Sequence, residues 1–159
     1  MSQETAYKLF VKQKVEGTLN NLVSQVQELV KQTGIHKKEM EKHQLSNLLG
    51  VALETSSVAV ITNYILYQIG RDDKRKSWRS GDQSVQESFG ERLVTALNAL
   101  KESAETIVAD CRDRGFTVPA DATEQVWMEL VRQYIGQLNR YFYYRKSLVE
   151  TQSKTGGEK

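Results

Sequence analysis

The side chains able to do chemistry in this 159-residue chain fall into a sparse set and a dense one. The sparse set is nucleophilic and metal-binding: Cys111, His36, His43 and the carboxylates around them. Cys111 sits in VADCRDR, where a nucleophile would want a histidine base, yet both histidines lie far back in the chain. It reads as a small buried or edge cysteine. His36 and His43 are seven apart and would share a helix face, but no carboxylate or cysteine completes a metal site with them. Glu39 and Glu41 are two apart and point different ways. No glycine-rich phosphate loop or dinucleotide fingerprint is present. These features point away from an enzyme, and away from a metal or any other cofactor.

The dense set is cationic. In GRDDKRKSWR, Arg71, Lys74, Arg75, Lys76 and Arg79 surround Trp78, against only Asp72 and Asp73. Arginine forks grip phosphate at two points, and an exposed tryptophan can stack on a base. The competing expectation, which the local composition favours, is a solvated loop whose tryptophan folds back onto the core. In WMELVRQYIGQLNRYFYYRKS the cations are Arg132, Arg140, Arg145 and Lys146, and residues 130–149 contain no acid. A surface helix shaped for solubility alone mixes signs, because opposite charges four apart support each other. Five turns without an acid are more expected of a surface that faces phosphate.

Charge along the whole chain follows the same division. Residues 1–79 carry 12 basic and 8 acidic side chains, residues 80–129 carry 4 and 10, and residues 130–159 carry 6 and 2. Two basic regions flank an acidic one, so the net charge of +2 conceals faces of opposite character. One cysteine permits no intrachain disulfide and suits a reducing, cytoplasmic setting. The first residues, MSQETAYKLFVKQK, lack the apolar core of a signal peptide, and no stretch is apolar enough to span a bilayer.

The elements that must position these cations read as helices throughout. One proline and ten glycines leave room for long uninterrupted runs. Apolar spacing predicts a first helix over Thr5 to Gln32, with Gly17 weakening its middle and Thr33-Gly34 as its stop. A second is predicted from Lys37 to Leu53, carrying Met40, Leu45, Leu48, Leu49 and Ala52. The hydroxyls of Thr55-Ser56-Ser57 offer caps for a third, which ends near Arg71 and stripes Val58, Ile61, Ile65 and Ile69 inward. After a loop over 72–83, Ser84-Val85-Gln86-Glu87 has the form of a capping box, opening a fourth helix that runs to about Arg114. Gly115 and Pro119 stop it. Asp121-Ala122-Thr123-Glu124 opens a fifth, ending near Glu150. The expectation is an all-α, single-domain bundle of about five helices over residues 1–150, with a disordered tail over 151–159.

Three stretches bear a likeness to a known family. HQLSNLLGVA (43–52), YQIGR (67–71) and YIGQLNRYFYYRKS (134–147) resemble, in order and spacing, the small subunit of type III CRISPR effector complexes of the Csm kind. The likeness covers about two-thirds of the chain, from His43 onward, and reaches a Gly156-Gly157-Glu158-Lys159 ending like that of the family. Ser46 stands where the family motif has arginine, so no RNA contact carries over to it. The resemblance implies a non-catalytic subunit that stacks in several copies beside a guide RNA–target RNA duplex and contacts other subunits of the complex. It implies phosphate contacts from Arg71, Arg132, Arg140, Arg145 and Lys146. Lys74, Arg75, Lys76 and Arg79 join them on charge alone, and the acidic fourth helix becomes a candidate contact for a neighbouring copy's basic face. No membrane and no small-molecule substrate is expected. The alternative is a helical adaptor or homo-oligomeric scaffold whose tyrosine-rich last helix packs on a partner protein.

Overall fold

The computed structural model describes residues 1–81 and 87–156. It is an all-α bundle of five helices: α1 (Gln3–Thr33), α2 (Lys42–Glu54), α3 (Val58–Arg71), α4 (Phe89–Asp113) and α5 (Ala122–Gly156), with a 3-10 turn at Ile35–Lys37. No strand occurs among the described residues. None of the described helices is long and apolar enough to cross a membrane.

All but one of the following boundaries have a local cause. The Ser2 hydroxyl accepts from the Thr5 amide at 3.1 Å and starts α1 two residues early. Gly34, at φ +62°, ends it in the left-handed conformation. The expected start of α2 at Lys37 is corrected: α2 begins at Lys42, and the preceding segment passes through the 3-10 turn and then extends. Two bonds hold that route. The Glu39 amide donates to the Lys76 carbonyl at 2.9 Å, and the Glu41 amide donates to Gln44 Oε1 at 2.8 Å. Ser57 caps α3, and its Val58, Ile61, Ile65 and Ile69 stripe is buried as its spacing predicts.

For α4 the operative cap is Ser88, whose hydroxyl accepts from the Glu91 amide at 3.2 Å. The box expected at Ser84-Val85-Gln86 lies outside the described residues. At the far end Gly115 N–H donates to Arg112 and Phe116 N–H to Cys111, the two bonds of a Schellman motif. Phe116 then packs edge-on to Tyr7 at 6.0 Å between ring centroids, fastening this corner to α1. α5 passes its expected end at Glu150 and continues to Gly156, because Thr151–Thr155 contains neither proline nor glycine to stop it. The tail expected to be disordered is therefore helical over 151–156, and 157–159 lie outside the described residues.

α5 is the central element, packing on α1, α2 and α4, while α3 lies outside it on α2 and α4. Val131, Tyr134, Leu138 and Phe142 are its buried stripe, and Trp127 and Tyr141 flank that stripe half-buried. Burial pushes the Tyr134 hydroxyl up to about 12.

Candidate nucleic-acid interface

The charged loop after α3 is a built structure. Asp72, at the end of α3, accepts backbone N–H bonds from Ser77 and Arg79 at 2.9 Å and from Lys76 at 3.3 Å. Burial alone would raise its pKa, but the three amides outweigh burial and hold the carboxyl below its ordinary range. Arg75 takes the left-handed conformation at φ +57°, which lets the chain double back around that carboxylate. Trp78 then turns inward, 1% exposed, and meets Phe89 with ring centroids 6.1 Å apart. Its carbonyl accepts from the Gly90 amide at 2.8 Å. A Cβ on Gly90 would lie 2.5 Å from Ile69 Cγ1 and 3.0 Å from the Trp78 carbonyl oxygen, so only glycine admits the loop this closely. The tryptophan is an anchor, and stacking on a base is ruled out for it in this conformation. Its burial holds Lys74 and Arg75 at the surface.

The cations of α5 divide into three kinds. Arg132 is corrected from a phosphate contact to a structural cap. Its Nε donates to the Ala52 carbonyl at 3.0 Å and a terminal nitrogen to the Thr55 carbonyl at 2.7 Å. Those are carbonyls at the end of α2, which helix geometry leaves without partners. Arg145 donates to the Tyr141 hydroxyl at 3.1 Å and contacts His36 Nε2 at 3.2 Å. Lys146 donates to the Lys38 carbonyl at 2.8 Å. Arg140 is exposed, with no hydrogen bond or ion pair to another described residue.

His36 and His43 do not share a helix. His36 is buried in the 3-10 turn, whereas His43 is exposed in the first turn of α2 beside Glu41, at 3.1 Å. Burial, then the charges of Arg145, Lys37 and Lys146, push His36 below the ordinary histidine range, against a smaller opposing pull from the Val30 carbonyl. Neutral His36 can thus accept from Arg145. Cys111 is buried, and burial pushes its thiol up, away from the reactive thiolate. Among the described residues no group of three or more His, Cys, Asp or Glu side chains is placed to hold a metal.

The start of α2 joins the two basic regions. A groove lined by Arg71, Lys74 and Lys76 and another lined by Lys42, Lys146 and Glu150 share Glu39, Glu41 and His43. Lys37, Lys38 and Lys42 belong to this surface and were not singled out by the sequence reading. Their signal was present in IHKKEMEKH but was masked by the two interleaved glutamates. Part of the charge is neutralised internally, by Lys76–Glu39 at 3.0 Å and Lys42–Glu150 at 3.1 Å. Tyrosines border the surface: Tyr67, 59% exposed, lies under the Arg71 guanidinium at 5.3 Å, and Tyr143 lies under the Lys42 ammonium at 4.1 Å. Compared with models of known families, with curated proteins and with solved structures, the chain matches none.

Proposed function

We propose that this chain is a non-catalytic, RNA-binding structural subunit of a type III CRISPR ribonucleoprotein, acting in antiviral defence in the cytoplasm. In this reading it resembles the Csm-type small subunit and stacks in several copies along the guide RNA–target RNA duplex. Base pairing with the guide supplies sequence selectivity, and the subunit contributes contacts to phosphate and to duplex shape. The observation that carries the reading is the meeting of the α3 end and the last third of α5 at the start of α2. There Arg71, Lys74, Lys42 and Lys146 border two grooves that run together, with exposed tyrosines at the margin. Arg140, one turn before Tyr143 and Tyr144, is an exposed cation of the same helix.

The test is fluorescence anisotropy of the full chain with labelled guide–target duplex over a salt series. Counterion release makes affinity fall steeply as salt rises. The triple variant Arg71→Glu, Arg140→Glu, Lys146→Glu is expected to weaken binding by at least about tenfold and to flatten the salt slope. Its helical circular dichroism should be unchanged. Arg132 is left intact because its loss would disturb the fold. Unaltered affinity in the triple variant overturns the proposal. Absence of RNA binding together with a salt-insensitive complex with another protein would favour the adaptor reading.

A further inference from the structure

A cavity of about 350 Å³ lies between α2, α3 and the tryptophan loop, and it opens beside the groove of Lys74 and Lys76, with which it shares His43, Gln44, Arg71, Asp72 and Ser77. Its polar walls are Gln44, Asn47, Tyr64, Gln68 and Arg71, and Trp78 lines its base. The side chains of Asn47, Tyr64, Gln68 and Arg71 form no hydrogen bond or ion pair with any described residue, although the Arg71 guanidinium lies over the Tyr67 ring. Gln44 uses its carbonyl oxygen on the Glu41 amide and keeps its NH2 group unused. The indole Nε1 of Trp78 has no acceptor among the described residues, but it is sealed from solvent and sits behind the wall rather than on it. The unpaired side chains of Asn47, Tyr64, Gln68 and Arg71 thus line one concavity of ligand size.

We infer that this cavity binds a mononucleotide, with the base against the side-chain amides and the phosphate on Arg71. The volume exceeds that of a phosphate or carboxylate alone. The side-chain amides of Asn47 and Gln68 present paired donors and acceptors and Gln44 adds its NH2 donors, the groups that read a base edge, and asparagine or glutamine pairs best with adenine. Tyr64 and His43 offer ring faces for stacking. Arg71 is the guanidinium on the wall, matching one phosphate, while His43 there is paired with Glu41 and the Asp72 carboxylate accepts from backbone amides. The same chemistry is presented by a free nucleotide and by the terminal nucleotide of a strand. The inference goes beyond the backbone-binding reading and shares only Arg71 among its cations with it, so variants at Asn47 and Gln68 test it without touching the RNA-facing lysines.

The experiment is isothermal titration calorimetry of the full chain with AMP, with inorganic phosphate, and with a short oligoadenylate in the presence and absence of AMP. AMP is expected to bind saturably at one site, at least about tenfold tighter than phosphate. The double variant Asn47→Ala, Gln68→Ala should weaken AMP by about tenfold or more, with unchanged circular dichroism. Competition between AMP and the oligoadenylate assigns the cavity to a strand end, and independent binding of both assigns it to a free nucleotide. Either result supports the site. No saturable heat at millimolar AMP, or AMP affinity equal in the double variant, overturns it. Duplex binding that still depends on Arg140 and Lys146 in that case would leave the proposed function standing.

Discussion

The loop after α3 and the last helix look alike as strings of basic residues, yet the fold treats them oppositely. In the loop the backbone is held from inside, by Asp72 and by the buried Trp78, and Lys74 and Arg75 are left at the surface. On α5 the side chains themselves do the holding. Arg132 closes the end of α2, Lys146 ties down the Lys38 carbonyl, and Arg145 braces His36. Lys74 of the loop and Arg140 of α5 keep their whole charge for an outside anion, Lys146 keeps the donors that the Lys38 carbonyl does not take, and Arg132 is spent on the fold. Density of positive charge does not report which arrangement holds, because a guanidinium serves a carbonyl as readily as a phosphate.

Removing the loop's anchor should produce the largest effect. Trp78→Ala is expected to cost about 3–5 kcal/mol in chemical denaturation. It should also weaken RNA binding, because Lys74 and its neighbours lose their fixed backbone. Next comes the helix-side counterpart. Arg132→Ala leaves the Ala52 and Thr55 carbonyls without a charged donor and should cost about 2–3 kcal/mol, with RNA affinity unchanged once folding is complete. An equal loss of RNA binding in this variant would break the contrast between the two regions. Asp72→Asn keeps the shape but has one acceptor oxygen where the carboxylate uses both, so the Lys76 amide faces an NH2 group and the other two bonds lose their charge; a cost of about 2 kcal/mol is expected in the same denaturation assay.

The smallest effect is one of pH. The folded-state pKa of His36 lies below its ordinary value of 6.5, so the unfolded chain takes up the proton first as pH falls. The contribution of His36 is present above about pH 6.5 and is lost as pH drops from there toward the lowered value. The melting temperature should therefore decline more steeply over that window than in His36→Gln, measured side by side. Equal slopes would remove His36 from the brace around Arg145.

Much of the bundle was legible because helical spacing and capping are local. The α3 stripe and the Gly115 stop are set by residues within a few positions of one another, and the structure has them where the pattern does. What escaped was set at long range. The delayed start of α2 depends on the Lys76 carbonyl, 37 residues from the Glu39 that donates to it. Arg132 was misread because its partners are carbonyls 77 and 80 residues back, and a carbonyl leaves no mark in a one-letter code. The polar cavity escaped for a related reason: Asn47 and Gln68 are unremarkable on their own helices and acquire meaning only when α2 and α3 lie side by side.

Gly90 carries a consequence for how this loop can change over generations. Its missing side chain would share a volume with the Ile69 side chain and crowd the Trp78 carbonyl, so the three positions are tied to one another. Alanine at 90 alone is expected to push the tryptophan loop out, and a smaller residue at 69 relieves the side-chain clash while leaving the Trp78 carbonyl at 3.0 Å. A chain inheriting this loop will therefore hold glycine at 90, or change position 69 and shift the loop backbone together.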